Sequence, residues 1–186
     1  MKSTLRNMTL SLTGLTLFVG AALAGVSLLT AEPIREAAVK ARAEAMASVL
    51  PAFDNDIASA GVDAGDGMML FPAYEGGKFV GAAVQTFSDN GFSGRIVLMA
   101  GFDADGVLTG YRVLEHSETP GLGAKMAEWF CAEGSSHDVV GTSAAIAVKA
   151  DGGDIDAITG ATITSRAFAD AINKARTAFE NYKKEM

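Results

Sequence analysis

Three kinds of hydrophobic pattern follow one another along the chain. From Met8 to Thr30 about 23 residues pass without a charge, and at roughly 1.5 Å per residue such a helix spans the ~30 Å hydrocarbon thickness of a bilayer. The run predicts a transmembrane helix over 8–30 behind a short flank, 1–7. From Ile34 to Val49 the strong helix formers Ala, Glu, Arg, Lys and Met dominate, and Pro51 marks a stop. A helical stalk over 31–50 is expected, followed by a domain over 51–186. Its first stretch, Asp54 to Gly67, is rich in Gly and Asp and reads as a surface loop.

Short apolar runs then alternate with turns. Met68–Tyr74, Lys78–Phe87, Arg95–Phe102 and Val107–Leu114 read as strands. Asp103-Ala104-Asp105-Gly106 suits a tight turn with positive φ, so an antiparallel hairpin is the natural connection. A helix is expected from near Gly123, carrying Met126, Trp129 and Phe130, and a further strand over Ala144–Lys149. From Ser165 to Lys184 the residues Phe168, Ile172, Ala175, Phe179 and Tyr182 recur at spacings of three and four, the stripe of a helix laid on a sheet. The expected fold is α+β: one N-terminal transmembrane helix, then a mostly antiparallel sheet packed with helices.

The first run has a second reading. Lys2 and Arg6 form a basic start, Leu10 to Val19 an apolar stretch and Ala22-Leu23-Ala24 a small-residue site, the marks of a cleaved signal peptide. Against cleavage, the apolar run continues through Val26, Leu28 and Leu29, so retention as an anchor is expected. No cysteine follows the run, which excludes lipid attachment at a processed cysteine. Arg35, Lys40 and Arg42 beyond it balance Lys2 and Arg6 before it, so charge alone does not orient the helix.

Composition narrows the chemistry. The formal net charge is −7, and an acidic surface argues against nucleic-acid binding. Cys131 is the only cysteine, so this chain alone builds no internal disulfide, thiolate metal site or iron–sulfur cluster. It sits beside Trp129 and Phe130 and is expected in the core. With only His116 and His137 a haem pair is disfavoured, and redox activity would have to reside on an organic cofactor.

Two stretches break the plain pattern. Asp156-Ala157-Ile158-Thr159-Gly160-Ala161-Thr162-Ile163-Thr164-Ser165 is rich in hydroxyls and leads into the last helix. Its Ser and Thr side chains are suited to capping first-turn amides. The same amides attract phosphate, and Gly160 with Ala161 leaves a neighbouring hydroxyl approachable. Both readings are open on spacing alone. The second stretch, Glu115-His116-Ser117-Glu118-Thr119-Pro120-Gly121-Leu122-Gly123, reads by composition as a strand-to-helix loop in which His116 is an ordinary surface or packed histidine.

Asp156-x-x-Thr159-Gly160-Ala161-Thr162 resembles the flavinylation motif of the FMN-binding domains of Rnf and sodium-translocating NADH:quinone reductase complexes. Glu118-Thr119-Pro120-Gly121-Leu122-Gly123 is similar to their second signature, and its fuller form most resembles the G subunits of Rnf. The resemblance implies that a dedicated flavin transferase moves FMN from FAD onto Thr162 as a phosphoester, with Thr164 a nearby decoy. It further implies that Thr159, Gly160 and Ala161 shape the phosphate site, and that Glu118, Thr119, Leu122 and Gly123 line the isoalloxazine ring. Lys149 would reach a polar edge of that ring, where a cation stabilises reduced, anionic flavin; as a solvated end-of-strand lysine it has no such role. The implied protein is an electron relay rather than a stand-alone enzyme. It would be a single-pass subunit of an ion-translocating ferredoxin:NAD oxidoreductase in the bacterial inner membrane, beside other membrane subunits, with its flavin domain on the periplasmic side. Three alternatives stand beside this: the C subunit of the sodium-translocating quinone reductase, a membrane-tethered redox sensor, and a non-redox scaffold in which Thr162 only caps a helix.

Overall fold

A computed structural model describes residues 5–186; Lys2, in the expected basic flank, lies outside the described residues. The chain divides into two compact units, one reaching Ala41 and one covering Arg42–Met186.

Helix α1 is Leu5–Val49 and runs unbroken through Pro33. Its most apolar 18 residues have a mean hydropathy of 2.0 and none of that stretch is buried. By length and composition it is able to cross a membrane. Its hydroxyls are satisfied within the helix: Thr9 donates to the Leu5 carbonyl, Thr16 to Leu12 and Thr30 to Val26, each at 2.8–3.0 Å. In hydrocarbon a polar group needs such a local partner.

The second unit is built on a five-stranded antiparallel meander in the order β1-β2-β3-β4-β5. The strands are β1 Val62–Asp63, β2 Met69–Glu75, β3 Lys78–Gly91, β4 Gly94–Asp103 and β5 Leu108–Glu115. Four of them lie where the hydrophobic pattern puts them, and the β4–β5 turn falls on Asp103–Gly106. There the Asp103 carboxylate accepts from the amides of Asp105 and Val107, both at 2.9 Å, and Gly106 takes φ +88°, the positive value that glycine adopts without a Cβ clash.

Alternation sorts the strands onto two cores. Leu70, Val84, Ile96, Leu98, Ala100 and Phe102 face the long C-terminal helix α3, Thr162–Glu185, which buries Phe168, Ile172, Ala175 and Phe179 against them. Phe71, Ala73, Ala83 and Met99 face the other way and are covered by Ala45, Met46 and Val49 at the end of α1. Contact there is close enough that Gly101 has no room for a Cβ beside the Val49 carbonyl, which also accepts from the Thr109 hydroxyl. With both faces covered, β3 and β4 are apolar over most of their length rather than strictly alternating.

Several expectations are corrected. The Asp54–Gly67 stretch is not merely a surface loop: β1 pairs with the start of β2. Beyond β1, the Asn55 side chain donates to the Pro72 carbonyl at 3.0 Å and accepts from the Tyr74 amide at 2.8 Å. It closes the edge of β2 where Pro72, lacking an N–H, could not complete a ladder. The expected strand over Ala144–Lys149 does not form; it holds one isolated parallel bridge, Val148 to Ile155. The Asn173 side chain instead takes both backbone groups of Ile146, at 2.9 and 2.8 Å, so no strand is needed to satisfy them. The helix expected near Gly123 is a 3-10 turn, Gly123–Lys125, followed by the four-residue α2, Met126–Trp129. Phe130 is buried, but Cys131 is exposed, with its thiol near the Glu128 carbonyl; α2 ends at Trp129 and the chain turns there, so aromatic neighbours do not carry the cysteine inward.

Candidate functional site

The hydroxyl-rich stretch forms the start of α3, and its hydroxyls do not cap it. Ala161 occupies the N-cap position with no side-chain cap bond. Thr162 is the first helical residue, half-buried, and among the described residues its hydroxyl has no partner. The chain reaches this point through a turn in which Ala161 N–H donates to Ile158 O at 2.9 Å and Gly160 has φ +75°. Ser165 secures the turn, accepting from Ile158 N–H and donating to Ala161 O, each at 3.0 Å. The capping role thus falls to none of the three threonines. First-turn amides carry the positive end of the helix dipole, and here the first-turn residues Thr162, Ile163 and Thr164 line a cleft.

That cleft encloses about 330 Å³ and is lined by the start of α3, by Gly160 and Ala161, and by the 118–123 loop, with Phe92 at its rim. The loop is shaped by a turn in which Leu122 N–H donates to Thr119 O at 3.2 Å, with Pro120 second and Gly121 third at φ +76°, the residue pattern of a type II turn. Thr119 and Leu122 are exposed and Gly123 is buried. His116 accepts from the Glu118 amide at 3.1 Å and so serves the loop itself.

Glu118 holds the cleft floor. Its side chain is 5% exposed; Oε1 accepts from the Ser93 amide at 2.9 Å and Oε2 from the Thr164 hydroxyl at 2.6 Å. One buried carboxylate therefore ties the β3–β4 turn and the 115–123 loop to the first turn of α3. Buried charge is tolerated when so bonded. Both oxygens point at protein donors, so Glu118 acts here through its neighbours. Thr164, 1% exposed, is committed to this bond; it is an internal strut, not an accessible second acceptor.

Two residues implied by the family resemblance lie away from the cleft lining. Thr159 is exposed in the preceding turn. Lys149 pairs its Nζ with Asp156 Oδ1 at 2.7 Å, outside the lining of the cleft. Lys149, with the Ser136 hydroxyl, holds the Asp156 carboxyl below its ordinary value. Asp156 also accepts the Trp129 indole N–H at its carbonyl, 3.1 Å away. The acid of the motif thus anchors the segment leading to α3.

Sequence reasoning did not single out Phe92 or Ile163, which line the cleft beside Thr162. Phe92 lies in Gly91-Phe92-Ser93-Gly94, a two-residue turn between paired glycines. A large apolar residue where turn chemistry favours polar ones was the available signal. For Ile163 the signal was its place outside the Phe168–Ile172–Phe179 stripe.

The arrangement fits a phosphorylated planar cofactor such as FMN: amides and a free hydroxyl for the phosphate, an apolar rim for the ring, and a volume within the usual range for small-molecule sites. Among the described residues no group of His, Cys, Asp and Glu is placed to hold a metal ion.

Comparison with known proteins agrees. Residues 91–177 match the FMN-binding domain family. The chain is 37% identical over 123 residues to the G subunit of the ion-translocating oxidoreductase complex of Aliivibrio fischeri strain MJ11, covering 64% of this chain and 59% of that protein. It is 42% identical over 110 residues to the corresponding protein of Yersinia pestis and 40% identical over 110 residues to that of Escherichia coli K12, covering 57% of this chain and 53% of each relative. The chain thus spans little more than half the length of the curated relatives it matches.

Proposed function

We propose, from the FMN-binding domain that this chain carries and its likeness to the G subunits of ion-translocating oxidoreductase complexes, that it is a membrane-anchored electron-transfer subunit of such a complex. Its cofactor is FMN, joined through its phosphate to the hydroxyl of Thr162. The observation that carries this reading is the position of Thr162: first residue of a 24-residue helix without a side-chain cap, its hydroxyl unpartnered among the described residues, on the wall of the cleft.

Attachment transfers FMN from FAD: the Thr162 oxygen forms a bond to the FMN phosphorus, the pyrophosphate bond breaks, AMP leaves and the hydroxyl proton is released. A flavin transferase supplies the catalysis. The amides at the start of α3 stabilise the phosphate charge that remains. Gly160 and Ala161 keep the approach to the hydroxyl clear, and Glu118, through Ser93 and Thr164, holds the walls at a fixed separation. When bound, FMN supplies the electron-accepting and electron-donating chemistry. A covalent tether makes loss by dissociation impossible, which suits a domain with no cytoplasmic flavin pool.

α1 is the anchor, with the flavin domain on the periplasmic side of the bacterial inner membrane. The partners are the other membrane subunits of an Rnf-type complex that couples electron flow between ferredoxin and NAD to ion movement. The test is ultraviolet fluorescence of the full chain on a denaturing gel after co-expression with a flavin transferase. Wild type is expected to be fluorescent, with a mass increase of one FMN less one water, and Thr162→Ala dark. A fluorescent Thr162→Ala band would refute the assignment, and a dark wild-type band, beside a control substrate that is labelled, would refute covalent attachment.

A further inference from the structure

The β3–β4 turn brings Phe92 to the lining of the cleft, and none of the described residues covers it. Phe92 is 68% exposed, and two other apolar side chains on the same cleft, Leu122 and Ile163, are 44% and 47% exposed. Each comes from a different element: a hairpin tip, a loop and the first turn of α3. Scattered exposed apolar residues are ordinary, whereas three converging on one cleft are not.

The tip that bears Phe92 is fixed rather than free. Ser93, the next residue, donates its amide to Glu118 Oε1 at 2.9 Å, and the other oxygen of that carboxylate takes the Thr164 hydroxyl two residues beyond Thr162. A Cβ at Gly91 would meet Glu118 Oε1 at 2.8 Å, and one at Gly123 would meet Oε2 at 2.6 Å. The hairpin tip is therefore drawn tight onto the same first turn of α3 that carries Thr162. A side chain needed only for the hairpin would have no use for this arrangement, since the turn is already closed by the Gly91–Gly94 pair.

We infer that Phe92 is a cofactor-positioning residue, providing an aromatic face against which the planar ring of the flavin on Thr162 docks, with Leu122 and Ile163 completing the apolar shelf. The inference rests on the flavin reading above. An aromatic face suits a ring that must be held by a short tether at one end and by contact area at the other, because offset stacking rewards a defined orientation without a covalent bond. Glu118 sets the position of that face through the Ser93 amide.

The test compares wild type, Phe92→Ala and Phe92→Tyr as full-length, flavinylated protein in detergent, reading collisional quenching of flavin fluorescence by iodide. The hairpin tip is exposed, so all three should fold alike, and the quenching of each is read per attached flavin, with flavin content taken from fluorescence on a denaturing gel. Phe92→Ala is expected to lower the docked population of the ring by about two- to tenfold, the range one aromatic contact is worth, and so to raise iodide quenching. Phe92→Tyr should restore it. Equal quenching in wild type and Phe92→Ala, with flavin attached to both, would overturn the inference and leave Phe92 as a surface for a protein partner. Should the wild-type band be dark, covalent attachment fails first. Free FMN titrated into the same proteins then decides the point: weaker binding to Phe92→Ala by a similar factor supports the stacking role, and equal affinity overturns it.

Discussion

Replacing Thr164 by Val changes one hydroxyl into a methyl group, deep in the site and two residues from the proposed attachment point. Thr164 is 1% exposed and donates to Glu118 Oε2 at 2.6 Å; Glu118 is itself 5% exposed. The substitution nearly preserves volume but leaves a buried carboxylate oxygen without its donor, which costs about 1–3 kcal/mol. For a domain of this size 1 kcal/mol moves the melting temperature by roughly 2–4 °C, so a mid-range loss of about 2 kcal/mol predicts a fall of about 4–8 °C. Full-length protein in detergent, followed by fluorescence of Trp129, the single tryptophan, reads the transition. The Thr162→Ala domain should melt close to wild type, because among the described residues the Thr162 hydroxyl has no partner. The two threonines should therefore dissociate two properties: Thr164→Val loses stability and keeps covalent flavin, while Thr162→Ala keeps stability and loses it. A Thr164→Val protein that melts with wild type would refute the strut role, and one that is stable but dark would refute the choice of Thr162.

Gly123→Ala should destabilise the domain by about 1–3 kcal/mol, since its Cβ would lie 2.6 Å from Glu118 Oε2 and 2.7 Å from Thr164 Oγ1; a lowered denaturant midpoint checks this. Lys149→Ala should leave flavin attachment and midpoint potential unchanged, because Nζ is engaged with Asp156 away from the cleft; a potential shifted strongly negative would return the lysine to the ring. The Arg166 guanidinium, bonded to Asp151 through two 2.7 Å contacts, holds that carboxyl below its ordinary 3.8. A depressed folded value means stability that is present above the ordinary carboxylate range and lost as pH falls through the lowered value. Asp151→Asn should thus be less stable than wild type near neutrality and converge with it in acid, a small and salt-sensitive difference because the pair is exposed.

Patterns with short periods were legible in the sequence. The uncharged run of α1, four of the five strands of the meander, the Asp103–Gly106 turn and the buried stripe of α3 each depend on residues a few positions apart, and backbone geometry forces those spacings wherever the segment sits. The motif ending in Thr162 was legible as well, and so was its place at the start of a helix. Spacing left open whether its hydroxyls cap that helix, because capping depends on one residue of offset: Ala161, not a threonine, takes the N-cap position.

The site itself was assembled by contacts between distant segments. Glu118 meets Ser93 and Thr164, 25 and 46 residues away, and only the strand register and the seating of α3 bring those three together. Lys149 was drawn to Asp156 rather than to the cleft by a nearby carboxylate, Cys131 was turned outward by the end of a four-residue helix, and Asn173 took the place of a strand for Ile146. For Glu118 and Asn173 the partner came from a distant segment, whereas for Lys149 and Cys131 a nearer group sufficed. Local sequence determined most of the elements and put the threonines of the motif at the start of α3, without deciding what their hydroxyls do. Tertiary packing decided which carboxylate braces the cleft and which aromatic ring stands at its rim, because those roles belong to distances between elements, and no spacing along the chain encodes a distance across the fold.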